Sequence, residues 1–266
     1  MSVDNSNKNK PKEHFYLLPN LLTTAGLFFG FYAIISSINN QFEHASVAIF
    51  IAMIFDGLDG RVARMTNTQS EFGAQYDSMA DIVSFGIAPA ILTYSFCLSS
   101  FGKLGWLACF IFVACAALRL ARFNSMLSIF SKNYFQGLPS PAAAALVASM
   151  VWVLQSFELE NGIISLVVAV VTVLSGLLMV SNFRYSAFKN LTLLKEQPFV
   201  SLLIAVFLFV VIAARPAEVL FITFFIYALS GAVLGFNSIK FSKLNGKNDA
   251  DFNDSNNEVT EEKTKE

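Results

Sequence analysis

Long apolar runs, each closed by a short polar or charged patch, recur along almost the whole chain, at roughly 19 to 38, 45 to 60, 77 to 98, 104 to 126, 139 to 157, 161 to 180, 199 to 214 and 217 to 237. Most approach the roughly 20 residues that a helix needs to cross a hydrocarbon core of ~30 Å. The pattern predicts an all-α fold, a polytopic transmembrane helical bundle of about eight spans forming one domain over 19-240. The polar, lysine-rich segment 1-18 leads into the first run without a small-residue cleavage site, so that run is expected to stay in the mature protein. The stretch 241-266 lacks apolar periodicity and reads as a disordered cytoplasmic tail without a catalytic role.

Composition strengthens this picture: 55% of the residues are hydrophobic and only 14% charged, a balance foreign to soluble domains. Cys97, Cys109 and Cys115 fall in apolar stretches without CxxC spacing, which argues against a disulfide framework or a zinc site. The net charge of −1 is uninformative, but its distribution is not. If both termini face the cytoplasm, every Lys and Arg except Lys103 and Arg215 falls on that side, as the positive-inside rule requires for an even number of spans.

Against this apolar background the segment from Asp56 to Asp81, DGLDGRVARMTNTQSEFGAQYDSMAD, holds four aspartates. At about 100° per residue, Asp56, Asp59, Gly60 and Ala63 share one helix face. Gly73, Asp77 and Asp81, spaced i, i+4, i+8, share another, and the polar stretch between the two groups predicts antiparallel neighbouring helices. Four carboxylates then converge, which a low dielectric tolerates only with protons or cations. Oxygen ligands without accompanying His or Cys favour Mg²⁺ or Mn²⁺. From Ala45 to Asp56 a helix rises about 16 Å, half the apolar core, so Asp56 is expected to face a wet cavity open to the cytoplasm. Gly60, Ala63 and Gly73 would let a bulky ligand reach the backbone, and Arg64 could neutralise a phosphate. The competing structural reading makes the aspartates helix caps or partners of Arg61 and Arg64.

In order, these residues spell DxxDGxxAR, eight residues, then GxxxDxxxD, and this resembles the complete signature of the CDP-alcohol phosphotransferase family. The resemblance implies membrane enzymes that displace CMP from a CDP-linked substrate with an acceptor alcohol. It implies that Asp56, Asp59, Asp77 and Asp81 hold Mg²⁺ or Mn²⁺, two ions per site, and that Asp81 is also the general base. Gly60, Ala63, Arg64 and Gly73 would lie against the CDP moiety, with Asn20 a further nucleotide contact.

Three further segments, RLARFN (Arg119 to Asn124), YFQGLPSPAAA (Tyr134 to Ala144) and LMVSNFRYSAFK (Leu178 to Lys189), resemble the family branch that joins CDP-diacylglycerol to L-serine to make phosphatidylserine. Serine's carboxylate calls for a cation, for which Arg119, Arg122 and Arg184 are the candidates, with Lys189 an alternative. Snorkelling at the interface is the plainer role for these residues. A homodimer in the bacterial inner membrane, with the active site on the cytoplasmic side, is implied by the resemblance, and no nucleic-acid partner is expected. Glycerol 3-phosphate or inositol phosphate as acceptor would need a denser basic pocket. A membrane prenyltransferase would separate its acidic motifs, and a divalent-cation transporter would spread polar groups over several spans, yet 161 to 180 and 199 to 214 carry no charge.

Overall fold

The computed structural model describes residues 17–126, 134–158, 161–186, 203, 206 and 210–231. Helix α1 (Leu17–Ile38) and helix α2 (Phe42–Met65) form the first hairpin. A second hairpin joins α2 to α3 (Glu71–Asp81), which continues through a π-helical segment, Ile82–Ile87, into α4 (Ala88–Phe96). After a 3-10 turn come α5 (Lys103–Met126), α6 (Ser140–Ser156), α7 (Gly162–Val180) and an apolar helix α8 (Pro216–Gly231). The fold is helical, as expected, apart from one short pairing. Strands β1 (Tyr134–Gln136) and β2 (Arg184–Ser186) run antiparallel, with Phe135 opposite Tyr185.

Among the described residues, four stretches are long and apolar enough to cross a membrane: Leu17–Ile38, Glu71–Phe96, Lys103–Ser125 and Gly162–Val180. Their outer faces carry exposed Leu21, Phe28, Phe110, Ile163 and Leu174, an apolar girdle suited to lipid. These helices mark a membrane protein. Most of the expected span 199 to 214 and the expected segments 1-18 and 241-266 lie largely outside the described residues, as does Lys189.

Inside, α6 is the central post. Its run Ala142 to Ala145 and Ala148 is buried, and these small side chains let α2 approach until the Ser46 hydroxyl donates to the Ala148 carbonyl at 3.0 Å. One apolar cluster packs Phe112, Leu138, Val147, Val168 and Met179 among α5, α6 and α7. Another packs Ile49, Phe85, Leu92 and Val151 among α2, α4, α6 and the π segment. Gly137, at φ 77°, lies where a Cβ would strike the Met179 carbonyl, which fixes the chain's entry into α6 against the end of α7.

Two local features position the site. The third expected span began at 77, but its helix begins at Glu71, because Ser70 caps it by accepting from the Gly73 N–H at 3.0 Å. Asp77 and Asp81 therefore lie well inside a helix. The π segment follows at once, with the Ala88 N–H donating to the Val83 carbonyl five residues back. Its wider turn pushes Ser84 against α1 where Gly30 has no side chain; a Cβ on Gly30 would overlap Ser84.

Candidate active site

The two acidic helix faces meet beside α1. Asp56, Asp59 and Asp77 each offer a carboxylate oxygen, and the three lie within 4.8 Å of one another. Asp81 is outside that trio but lines the same recess of about 190 Å³, with Thr23, Gly26, Ala52, Ala80, Ser84 and Phe85. Its carboxylate and that of Asp56 lie close enough to act on one another electrostatically. The sequence spacing thus placed all four carboxylates in one recess, with Asp81 directly before the π segment whose Ser84 and Phe85 also line it.

The structural alternative fails on position and partners. The aspartates lie in helix interiors, and Asp59 is 4% exposed. Among the described residues the one ion pair, at 3.0 Å, joins Arg215 to Glu218, not Arg61 or Arg64 to this cluster. A set of clustered hard oxygen donors with no ion pair to a protein cation among the described residues suits Mg²⁺ or Mn²⁺.

Helix α1 supplies what the spacing argument missed. Thr23, 5% exposed, donates from its hydroxyl to Asp59 Oδ2 at 2.6 Å. At the next position, Thr24 and the Tyr76 hydroxyl are hydrogen-bonded at 2.9 Å, tying α1 to α3. Asn20 stands on the same edge: a Cβ on Gly73 would sit 3.5 Å from Asn20 Oδ1. Gly60 is open except for the Arg64 guanidinium, 3.9 Å from where its Cβ would be, and Arg64 and half-buried Ala63 lie on the same turn. Gly73 thus adjoins Asn20 and Gly60 adjoins Arg64, while the residues lining the recess itself do not include Asn20, Gly60, Ala63, Arg64 or Gly73. The sequence signal for Thr23 was a polar residue in an apolar helix, three positions from Asn20.

The three arginines part company. Arg119 lies within electrostatic reach of Asp81 and donates from Nη1 to Ser140 at 2.9 Å. Arg122 instead reaches the end of α7, where its Nη2 donates to Asn182 Oδ1 at 2.8 Å. Arg184 belongs to β2, whose side chains lie outside the described residues.

The sequence model for CDP-alcohol phosphatidyltransferases matches residues 16–181, a region that holds α1 to α7 and every aspartate of the recess. The chain belongs to the CDP-alcohol phosphatidyltransferase family. It is accordingly an enzyme, and its DxxDGxxAR…GxxxDxxxD residues are those of the hairpin just described. Over 223 residues it is 39% identical to the CDP-diacylglycerol–serine O-phosphatidyltransferase of Helicobacter pylori strain J99, covering 84% of this chain and 92% of that one. The protein of the same name from Methanocaldococcus jannaschii is 40% identical over 142 residues, 53% of this chain and 63% of its own. The archaetidylserine synthase of Methanothermobacter thermautotrophicus is 37% identical over 173 residues, 64% of this chain and 70% of its own.

Proposed function

We propose that this CDP-alcohol phosphatidyltransferase moves the phosphatidyl group of CDP-diacylglycerol to L-serine, releasing CMP, as a step of phospholipid synthesis. The observation that carries the reading is the gathering of Asp56, Asp59 and Asp77 with Asp81 in one recess. The serine acceptor rests on the name of the Helicobacter pylori relative, matched over nearly its full length.

In this reading Asp56, Asp59 and Asp77, with Asp81 completing the second position, hold Mg²⁺ or Mn²⁺, two ions per site. Such ions would screen the pyrophosphate and stabilise departing CMP. Gly60, Ala63 and Gly73 give the CDP moiety access to the backbone, Arg64 adds a positive charge and Asn20 a polar contact beside Gly73. Asp81 takes the proton of the serine hydroxyl as that oxygen bonds to the phosphorus carrying the diacylglycerol, and the phosphorus–oxygen bond to CMP breaks. Arg119, near Asp81, is the favoured partner of the serine carboxylate; Arg122 is engaged with α7. The distribution of basic residues favours a cytoplasmic active site and termini in the inner membrane. A homodimer with residues 241-266 as an accessory tail completes the reading.

The purified protein, given Mn²⁺, CDP-diacylglycerol and each acceptor in turn, is expected to release CMP with serine. Release with glycerol 3-phosphate and not with serine would overturn the acceptor and leave the chemistry intact. Thr23→Val keeps the shape of the side chain but removes the donor that fixes Asp59. Outer-shell partners of this kind are worth about 10–100-fold in metal affinity, so the Mn²⁺ concentration for half-maximal activity should rise by about ten-fold or more. An unchanged metal titration would show that the 2.6 Å bond is incidental.

A further inference from the structure

Arg119 and Ser140 belong to different helices, α5 and α6, and their 2.9 Å bond does more than join them. Ser140 is 1% exposed and stands at the first position of α6, directly behind Pro139. Its hydroxyl is therefore carried on backbone with little freedom. The Arg119 Nε–H, by contrast, is shut off from solvent and has no partner among the described residues. A buried donor left in that state is costly, and a ligand oxygen reaching it would remove the cost.

The guanidinium is planar, so fixing one of its nitrogens fixes the direction of the others. With Nη1 on Ser140, the donors that remain for a side-on grip are Nε and Nη2, the edge that matches the two oxygens of a carboxylate. Asp81 lies within electrostatic reach of the same group. In serine, two carbons separate the carboxylate carbon from the hydroxyl oxygen. A carboxylate held by Arg119 therefore leaves the hydroxyl within a short step of the base.

We infer that Ser140 is a positioning residue for acceptor selection: by holding Arg119 Nη1 it presents the Nε edge to a carboxylate, so that the enzyme takes a β-hydroxy acid and rejects an amino alcohol without a carboxylate. The inference rests on serine being the acceptor. It goes further in naming the residue that enforces the choice and the part of the acceptor that is read.

The test compares full-length wild type, Ser140→Ala and Ser140→Thr in detergent with Mn²⁺ and CDP-diacylglycerol, using serine or ethanolamine as acceptor and CMP release as readout. Wild type should use serine and not ethanolamine. Ser140→Ala should raise KM for serine by about ten-fold, the scale of one hydrogen bond to a charged group. Its kcat should change much less and its KM for CDP-diacylglycerol should stay unchanged; Ser140→Thr should restore the serine KM. A serine KM unaltered in Ser140→Ala, or a parallel rise in KM for both substrates, overturns the role of Ser140. Should Ser140→Ala not fold, Ser140→Cys, of similar size and a poor acceptor, must show the raised serine KM or the inference fails. Wild type that releases CMP with glycerol 3-phosphate but not serine removes the serine reading and this inference together, whereas a serine-active wild type with a silent Ser140→Ala removes the inference alone.

Discussion

Asp81→Asn should lower kcat for CMP release by about 10³-fold, within the range that a positioned general base contributes, while CDP-diacylglycerol continues to bind. The amide has nearly the size and shape of the carboxylate and leaves the packing at the start of the π segment undisturbed. It cannot take a proton from an alcohol. Asp81 also lies outside the trio whose oxygens fall within 4.8 Å of one another, so in the proposed reading those three ligands survive the change. Single-turnover CMP release together with KM for CDP-diacylglycerol separates the two effects. Full activity in this variant would remove Asp81 as the base, and loss of nucleotide binding with unchanged chemistry would make it a binding residue instead.

Asp77→Asn should act in the other direction. Asp77 is the member of the trio contributed by α3, so in the proposed reading an ion would be held across the α2–α3 hairpin only while its charge is present. Replacing one anionic oxygen ligand of a hard cation should raise the Mn²⁺ requirement by about 100-fold, at the upper end of what even outer-shell changes produce. Activity should vanish at low Mn²⁺ and return in part at high Mn²⁺, a recovery that Asp81→Asn should not show. Asp56→Asn should behave like Asp77→Asn. Arg61→Ala, an exposed change on α2 away from the recess, should leave the metal titration where it was. Equal metal titrations for wild type and Asp77→Asn would mean that the trio holds no catalytic ion.

Much of the site could be read from spacing because helices convert spacing into direction. The offsets of three, four and seven residues from Asp56 predicted one face of α2, and Gly73, Asp77 and Asp81 predicted one face of α3. The short polar link from Thr66 to Ser70 predicted that the two helices pack side by side; instead α2 and α3 each pack chiefly on α1, and their acidic faces meet beside it. What spacing cannot give is the partner drawn from a distant helix. Thr23 meets Asp59 across 36 positions and Ser140 meets Arg119 across 21, and nothing local to either residue encodes the pairing. The π segment was equally silent, since apolar periodicity does not distinguish a four-residue from a five-residue hydrogen-bond step; Gly30, which yields space to Ser84, was its one trace. The pairing of β1 with β2 was hidden for a different reason: each strand is three residues long, too short for alternation to register.

The most direct test of the account is to locate the ion. Crystals grown with Mn²⁺ and a CDP-linked ligand, measured for anomalous scattering, should show manganese between Asp56, Asp59 and Asp77, and EDTA should abolish CMP release until Mn²⁺ or Mg²⁺ is restored. Anomalous density elsewhere, with the three carboxylates turned away from one another and turnover undiminished in EDTA, would contradict it.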